Sequence, residues 1–448
     1  MIGRLRQLLA APQTAQRLRR LAAGAPAAAP LSLRLDLGRG ERDWLELTSA
    51  SLPFWYRARP RHREYRLGIG HALQVTSAGP HRFAALDNAA AGFRQAWRPE
   101  GQALAFTGFA FAAEAEGPLP NAVLSIPAIL LESRDGQCTA TLSLPAGRHH
   151  AAAAEWRQWL DRLRPDDTRQ AADLLPPASE MLSDQAWLSR CQAALRAIAD
   201  GRAAKLVLTR SRRLDSRRCL APAAILARLL VQQPDSLCYA FGNGQQVFLG
   251  ATPERLVRLR HGRIDADALA GTAWADSPAL AGAKNRHEQA LVADAICAAL
   301  VPLVSAPPTS SSPHEQVAGH LRHLRSCITA NARPTTSLFD LLAALHPTPA
   351  VGGHPTAAAL AWLAAHGEQR SGWYSGGIGY MDQDGDGEIS VALRSALLDG
   401  RMAILQAGAG IVTGSDPANE LAETEAKLGT IMAALVGGGE RAPATGTR

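Results

Sequence analysis

Lysine is scarce in this chain. Of 47 basic residues only three are lysines, at positions 205, 284 and 427. Arginine stays protonated in proteins, whereas lysine can lose its proton when its pKa is depressed. A lysine kept in so arginine-rich a chain is therefore a candidate for work that arginine cannot do. Long apolar runs are missing as well. Candidates such as Leu341–Leu345 and Ala357–Ala365 are short and alanine-rich, far below the roughly 18 to 20 residues of a membrane span. Six cysteines, at 138, 191, 219, 238, 297 and 327, include no C-x-x-C pair. They read as reduced, mostly buried thiols of a cytoplasmic protein. H-E-x-x-H, G-x-S-x-G and P-loop patterns are absent, and so is any short tandem repeat.

What is present is globular. The 448 residues are 47% hydrophobic and 19% charged, enough for one large domain or two ordinary ones. The formal charge is +7. Its arginines are scattered, with one denser stretch from Arg4 to Arg20, so a solvated surface is expected and a nucleic-acid role is not. The charge favours a small anionic substrate. The basic N-terminal segment lacks the apolar core of a secretory signal.

Residues 1–30 read as a helix and an Ala/Pro linker. Residues 31–175 carry short alternating runs (LSLRLDL, LGIGHALQV, ALAFTGFAF, TATLSL) expected to be antiparallel strands, followed by a charged helix and a linker. Residues 176–440 alternate strands with helices, the latter expected over Pro222–Val231, Asn285–Leu300, Glu315–Asn331, Thr335–Leu345 and Pro417–Val436. The class is α+β.

Several segments carry chemistry. Lys205 opens the strand KLVLTRS, where alternation puts Lys205, Val207 and Thr209 on one face and Leu206, Leu208 and Arg210 on the other. A lysine beside valine is partly desolvated, which depresses its pKa as a general base requires; a strand-end lysine reaching water is the ordinary alternative. In FLGATPERL, Glu254 follows Pro253 at a tight turn, where a carboxyl can be aimed into a cleft and kept protonated by burial. ALAGTA offers a Gly-Thr turn at Gly271 and Thr272 that suits an anion. Glu288 lies beside the buried stripe of the helix KNRHEQALVADAI. In SDPANELAETEAK, Ser415 or Asp416 caps a helix with Pro417 in its first turn. Glu420, Glu423 and Lys427 then share one face, a pattern that suits a magnesium ion and an anionic ligand; a Glu423–Lys427 surface pair is the alternative. DQDGDGE imitates the start of a calcium loop, but Leu393 stands where that loop needs glutamate, so a hairpin turn is expected over Asp382–Glu388.

Taken in order, KLVLTRS, FLGATPERL, ALAGT, KNRHEQALV, HLRSCI, LHPTPAVGG, GWYSGGIGY, VALRSAL, AGAGIV and SDPANELAETEAK resemble the chorismate-utilising enzymes: the isochorismate, salicylate, anthranilate and aminodeoxychorismate synthases. The resemblance spans about residues 185–436 and is loose before 150. It implies two large antiparallel sheets packed together with helices outside, the site lying between the sheets. It implies Glu288 and Glu423 as magnesium ligands, with Glu420 one layer behind. It places His323, Ala350, Tyr374, Arg394, Gly408, Gly410 and Lys427 around the substrate, and Gly271 and Thr272 near its ring. Lysine at position 205 marks the members that use water, so no glutamine amidotransferase subunit is expected. The implied reaction is an isomerisation: Lys205 takes a proton from water as it attacks C2 of chorismate, and Glu254 protonates the departing C4 hydroxyl. Alternatives are the same step followed by loss of pyruvate, which Ala350 disfavours because a lyase-associated threonine stands there in salicylate synthases, and a non-catalytic relative. Both menaquinone and siderophore pathways remain open.

Overall fold

The structure is a computed structural model and describes residues 1–163, 170–176, 180–274, 280, 282–318 and 321–437. Among them, two sheets of 12 and 10 strands are packed face to face. In the larger sheet, strand Lys205–Asp215 lies between Gly353–His354 and Met402–Val412, and the order continues through Ser395–Asp399, Gln246–Thr252 and Leu237–Asn243. There it pairs with Pro53–Arg59, and five further N-terminal strands complete the run. All these pairings are antiparallel except the edge pair of Pro30–Arg39 with Arg98–Glu100. The smaller sheet does likewise: Leu321–Asn331, Arg263–Trp274, Arg255–Arg260, Gly387–Val391 and Gly377–Asp382 run on into Leu104–Phe109.

The alternating patterns explain the layering. Side chains on the inner faces meet in an aromatic core of Trp55, Phe106, Phe241, Phe248 and Trp373, with Trp55 stacked on Phe106 at 5.4 Å and Phe241 on Trp373 at 4.6 Å. The outer faces are covered by helices. Pro222–Gln232 and Pro417–Val436 lie on the larger sheet, and Arg82–Ala96, Ala283–Leu300 and Leu338–Leu345 on the smaller. Among the described residues no helix is long and apolar enough to cross a membrane.

Three local expectations are corrected. The segment expected as a helix over Glu315–Asn331 forms two strands, His314–Ala318 and Leu321–Asn331. In the second, Leu321 and His323 and then Leu324, Ser326 and Ile328 are buried among half-exposed neighbours, two period-two runs whose phase shifts opposite the irregularity between Ala270 and Thr272, which the paired leucines and arginines disguise further. The N-terminus holds two helices, Ile2–Ala10 and Pro12–Ala22, broken at Ala11 because Pro12 favours the first turn of a new helix. Both dock on the larger sheet through Leu5, Leu9 and Leu18. Finally, helix Arg82–Ala96 interrupts the expected run of strands. The Asp382–Glu388 segment is a hairpin turn, with the Asp382 carboxylate accepting from the amides of Asp384 and Asp386.

Candidate active site

A cavity of about 690 Å³, counting its open mouth, lies between the sheets. Four elements supply most of its charge. Strand Lys205–Asp215 brings Lys205 and Val207 to the wall, while Leu206 and Leu208 pack on the opposite face with Trp187 and Leu363. The turn after Gln246–Thr252 brings Glu254. Helix Ala283–Leu300 brings Glu288, and helix Pro417–Val436 brings Glu423 and Lys427. Asp416 caps that last helix by accepting from the Asn419 amide at 2.9 Å, which fixes its first turn and hence the direction of Glu423.

Gly271, Thr272, His323, Ala350, Tyr374, Arg394, Gly408 and Gly410 line the same cavity. Glu420 does not line it. It lies behind, 2% exposed, with Lys284 Nζ at 2.5 Å from its carboxylate.

Each lysine of the chain meets one of the three glutamates. Lys205, 1% exposed, sits 2.8 Å from Glu288 Oε1. Lys427 Nζ is 2.5 Å from Glu423 Oε1 and donates to the Gly408 carbonyl at 2.8 Å. Lys284 holds Glu420. The Glu423–Lys427 pair is the one that the i, i+4 spacing offered,; the other two pairings were not legible in the sequence, although the scarcity of lysine pointed at the residues that make them. Burial and then the neighbouring Glu423 raise the Glu420 carboxyl above the usual carboxylate range. At Glu423 burial acts the same way and is the largest cause, but Lys427, His323 and Lys284 together outweigh it and the net shift is downward. Glu288 and Glu423 turn carboxylate oxygens to the cavity, hard donors of the kind that hold a divalent cation together with water and substrate oxygens; among the described residues no three His, Cys, Asp or Glu side chains are gathered into a metal site of their own.

Glu254 behaves differently. It is 4% exposed, and its backbone is pinned by bonds to Thr252 Oγ1 and from the Val391 amide. Burial, then the negative charge of Asp267, push its carboxyl up to about 8 against the opposing pull of Lys205, Lys427 and Arg394. A carboxyl held protonated at neutral pH is a proton donor. The influence of Asp267 was missed in the sequence, where that residue is one of many in a strand.

Arg394 is buried, with a positive backbone φ of 50°, a conformation that non-glycine residues adopt at some energetic cost. Its guanidinium donates to His323 Nε2 at 3.1 Å. An acceptor Nε2 leaves the proton on Nδ1, which faces the Gly271 carbonyl at 3.3 Å. Burial, then Arg394 and Lys427, push His323 down to about 3, so the ring is neutral and orients Arg394 without competing for an anion. Among the described residues Arg394 has no carboxylate within ion-pair distance, and burial lowers it below the usual arginine range. A buried guanidinium whose side-chain partner is a neutral ring suits a carboxylate ligand held bidentately. Tyr374, pushed up to about 12 by burial, stays a neutral phenol nearby.

Residues 43–436 match the family of chorismate binding enzymes. The chain belongs to that family. The salicylate biosynthesis isochorismate synthase of Pseudomonas aeruginosa is 38% identical over 271 residues, which are 57% of this chain and 56% of that protein. The isochorismate synthase MenF of Bacillus subtilis is 33% identical over 285 residues, 61% of this chain and 60% of that one. The aligned stretch thus spans little more than half the length of these curated relatives. Among solved structures, that of MenF, the menaquinone-specific isochorismate synthase from Escherichia coli, superposes with a TM-score of 0.77 at 26% identity, covering 94% of this chain and 98% of the other. The two-sheet architecture is therefore that of the chorismate-binding family.

The glycines of AGAGIV have a steric reason to be there. A Cβ at Gly410 would stand 2.6 Å from Glu288 Oε1 and 2.8 Å from Lys205 Cε. Gly410→Ala is expected to part the Lys205–Glu288 pair and lower kcat roughly 10- to 100-fold, on the scale of an overpacking strain of about 1–3 kcal/mol. Steady-state kinetics beside a circular-dichroism melt checks this; unchanged kcat would mean the pair tolerates displacement.

Proposed function

We propose that this enzyme is an isomerase that converts chorismate to isochorismate. The observation that carries the reading is the pairing of opposites in one cavity. Lys205, a buried amine, and Glu254, a buried carboxyl that keeps its proton to about pH 8, line the same space.

The residues divide the work as follows. Arg394, held by His323, binds a carboxylate of the substrate, and Tyr374 and the Gly408 and Gly410 backbone shape the floor. In its amine form Lys205 takes a proton from water as the water oxygen bonds to C2. The two ring double bonds shift, and the C4–oxygen bond breaks. Glu254 gives its proton to the departing oxygen, which leaves as water, so one water enters and one leaves. Glu288 and Glu423, with Glu420 behind, would hold magnesium, which would neutralise the charge of the ring carboxylate. Ala350 adds only a methyl group to the wall, and the released product is isochorismate with its enolpyruvyl group attached.

Incubation with chorismate and magnesium, followed by chromatography for isochorismate, salicylate and pyruvate, tests the proposal. Isochorismate alone is expected. Stoichiometric pyruvate with salicylate would replace it with the lyase reading, and no product would leave a binding protein. Removing divalent cations with excess chelator is expected to abolish turnover, and adding magnesium back to restore it. Full activity in chelator would count against the glutamate site.

A further inference from the structure

Glu254 has a second side. Pro253 and Glu254 line both the cavity just described and another behind it, a polar chamber of about 630 Å³ counting its open mouth. Its rim carries the exposed Arg61–Asp235 ion pair. Its inner wall carries Asp267, Arg255, Arg325 and Gln316. Asp267 is 4% exposed, with Arg325 Nη2 at 2.9 Å and Arg255 Nη1 at 3.8 Å. Gln316 Nε2 donates to the carbonyl of Pro253 at 3.2 Å and so ties the chamber wall to the turn that carries Glu254. Arg255 Nε, Arg325 Nε and Gln316 Oε1 are buried without a hydrogen-bond partner among the described residues. Buried polar atoms are ordinarily satisfied, so this wall offers the partners that ordered water needs.

A general acid that works on the front cavity thus has a buried carboxylate at its back, on the strand Arg263–Trp274. The front presents Lys427, Arg394 and, whenever it carries a proton, Lys205, and against burial their positive charge pulls the proton from Glu254,. Behind it Asp267 supplies the opposing charge, and Arg325 fixes where that charge sits.

We propose that Asp267, anchored by Arg325 in this rear chamber, is a positioning residue whose negative charge keeps the proton on Glu254 between turnovers. This rests on the reading of Glu254 as the acid. Asp267 itself touches neither substrate nor reacting atoms.

The test is the pH dependence of kcat/KM for Asp267→Asn and Arg325→Gln beside the unsubstituted enzyme and Glu254→Gln. In Asp267→Asn the alkaline limb is expected to move toward acid by roughly one pH unit, a roughly tenfold loss of rate above the limb with much smaller change well below it. In Arg325→Gln, where Asp267 loses its counter-charge, the limb is expected to move the other way. Uniform loss of rate with the limb unmoved in both variants would overturn the proposal, as would movement in one common direction. If Asp267→Asn does not fold, the direction of the Arg325→Gln shift decides alone. Failure of the underlying reading looks different: Glu254→Gln would then retain its rate.

Discussion

Lys205→Arg is expected to be inactive although it keeps a cation beside Glu288 on a side chain only slightly larger than lysine. Arginine stays protonated in proteins, so it holds Glu288 but cannot accept a proton from water. Loss of a general base costs on the order of 10²–10⁴ in rate. Lys205→Ala should lose as much turnover and some stability too, because it leaves Glu288, 8% exposed, without its buried partner,. The arginine variant therefore separates chemistry from structure. Kinetics and thermal melts on both variants check this, and near-normal turnover in Lys205→Arg would show that position 205 serves only as a cation.

Glu254→Gln should cost a comparable 10²–10⁴-fold, since the amide preserves shape and polarity but carries no acid proton. In the proposed mechanism the acid form of Glu254 is the working form. It is present below about 8 and lost above, because burial and Asp267 hold the carboxyl there. Rate should therefore fall as pH rises through about 8, and this limb should vanish from the residual activity of Glu254→Gln. A rate that rises through the same range would assign Glu254 the role of base.

How much of this could be read from the sequence differs by physical cause. Local geometry was legible. The i, i+3, i+7 spacing of Glu420, Glu423 and Lys427 and the alternation of Lys205 with Val207 follow from helix and strand periods, which do not depend on the rest of the fold. The direction of Glu423 into the cavity and of Glu420 behind it was implied only by resemblance. Long-range pairing was not legible. Lys205 and Glu288 lie on a strand and a helix 83 positions apart in the sequence, and nothing in either segment names the other. The same holds for Asp267 and Glu254, which a turn and two strands bring together. Leu321–Asn331 was misread because leucines and arginines at mixed spacing fit a helix as well as a strand, and only its place beside Arg263–Trp274 selects the strand,. His323 reaches the cavity as a consequence of that pairing.

A single turnover in water enriched in the heavy oxygen isotope tests the central chemistry most directly. If an activated water attacks C2 while the C4 oxygen departs, isochorismate will carry the heavy isotope in its C2 hydroxyl, at the enrichment of the solvent. Isochorismate whose C2 hydroxyl retains the original C4 oxygen would contradict the water-activating role of Lys205.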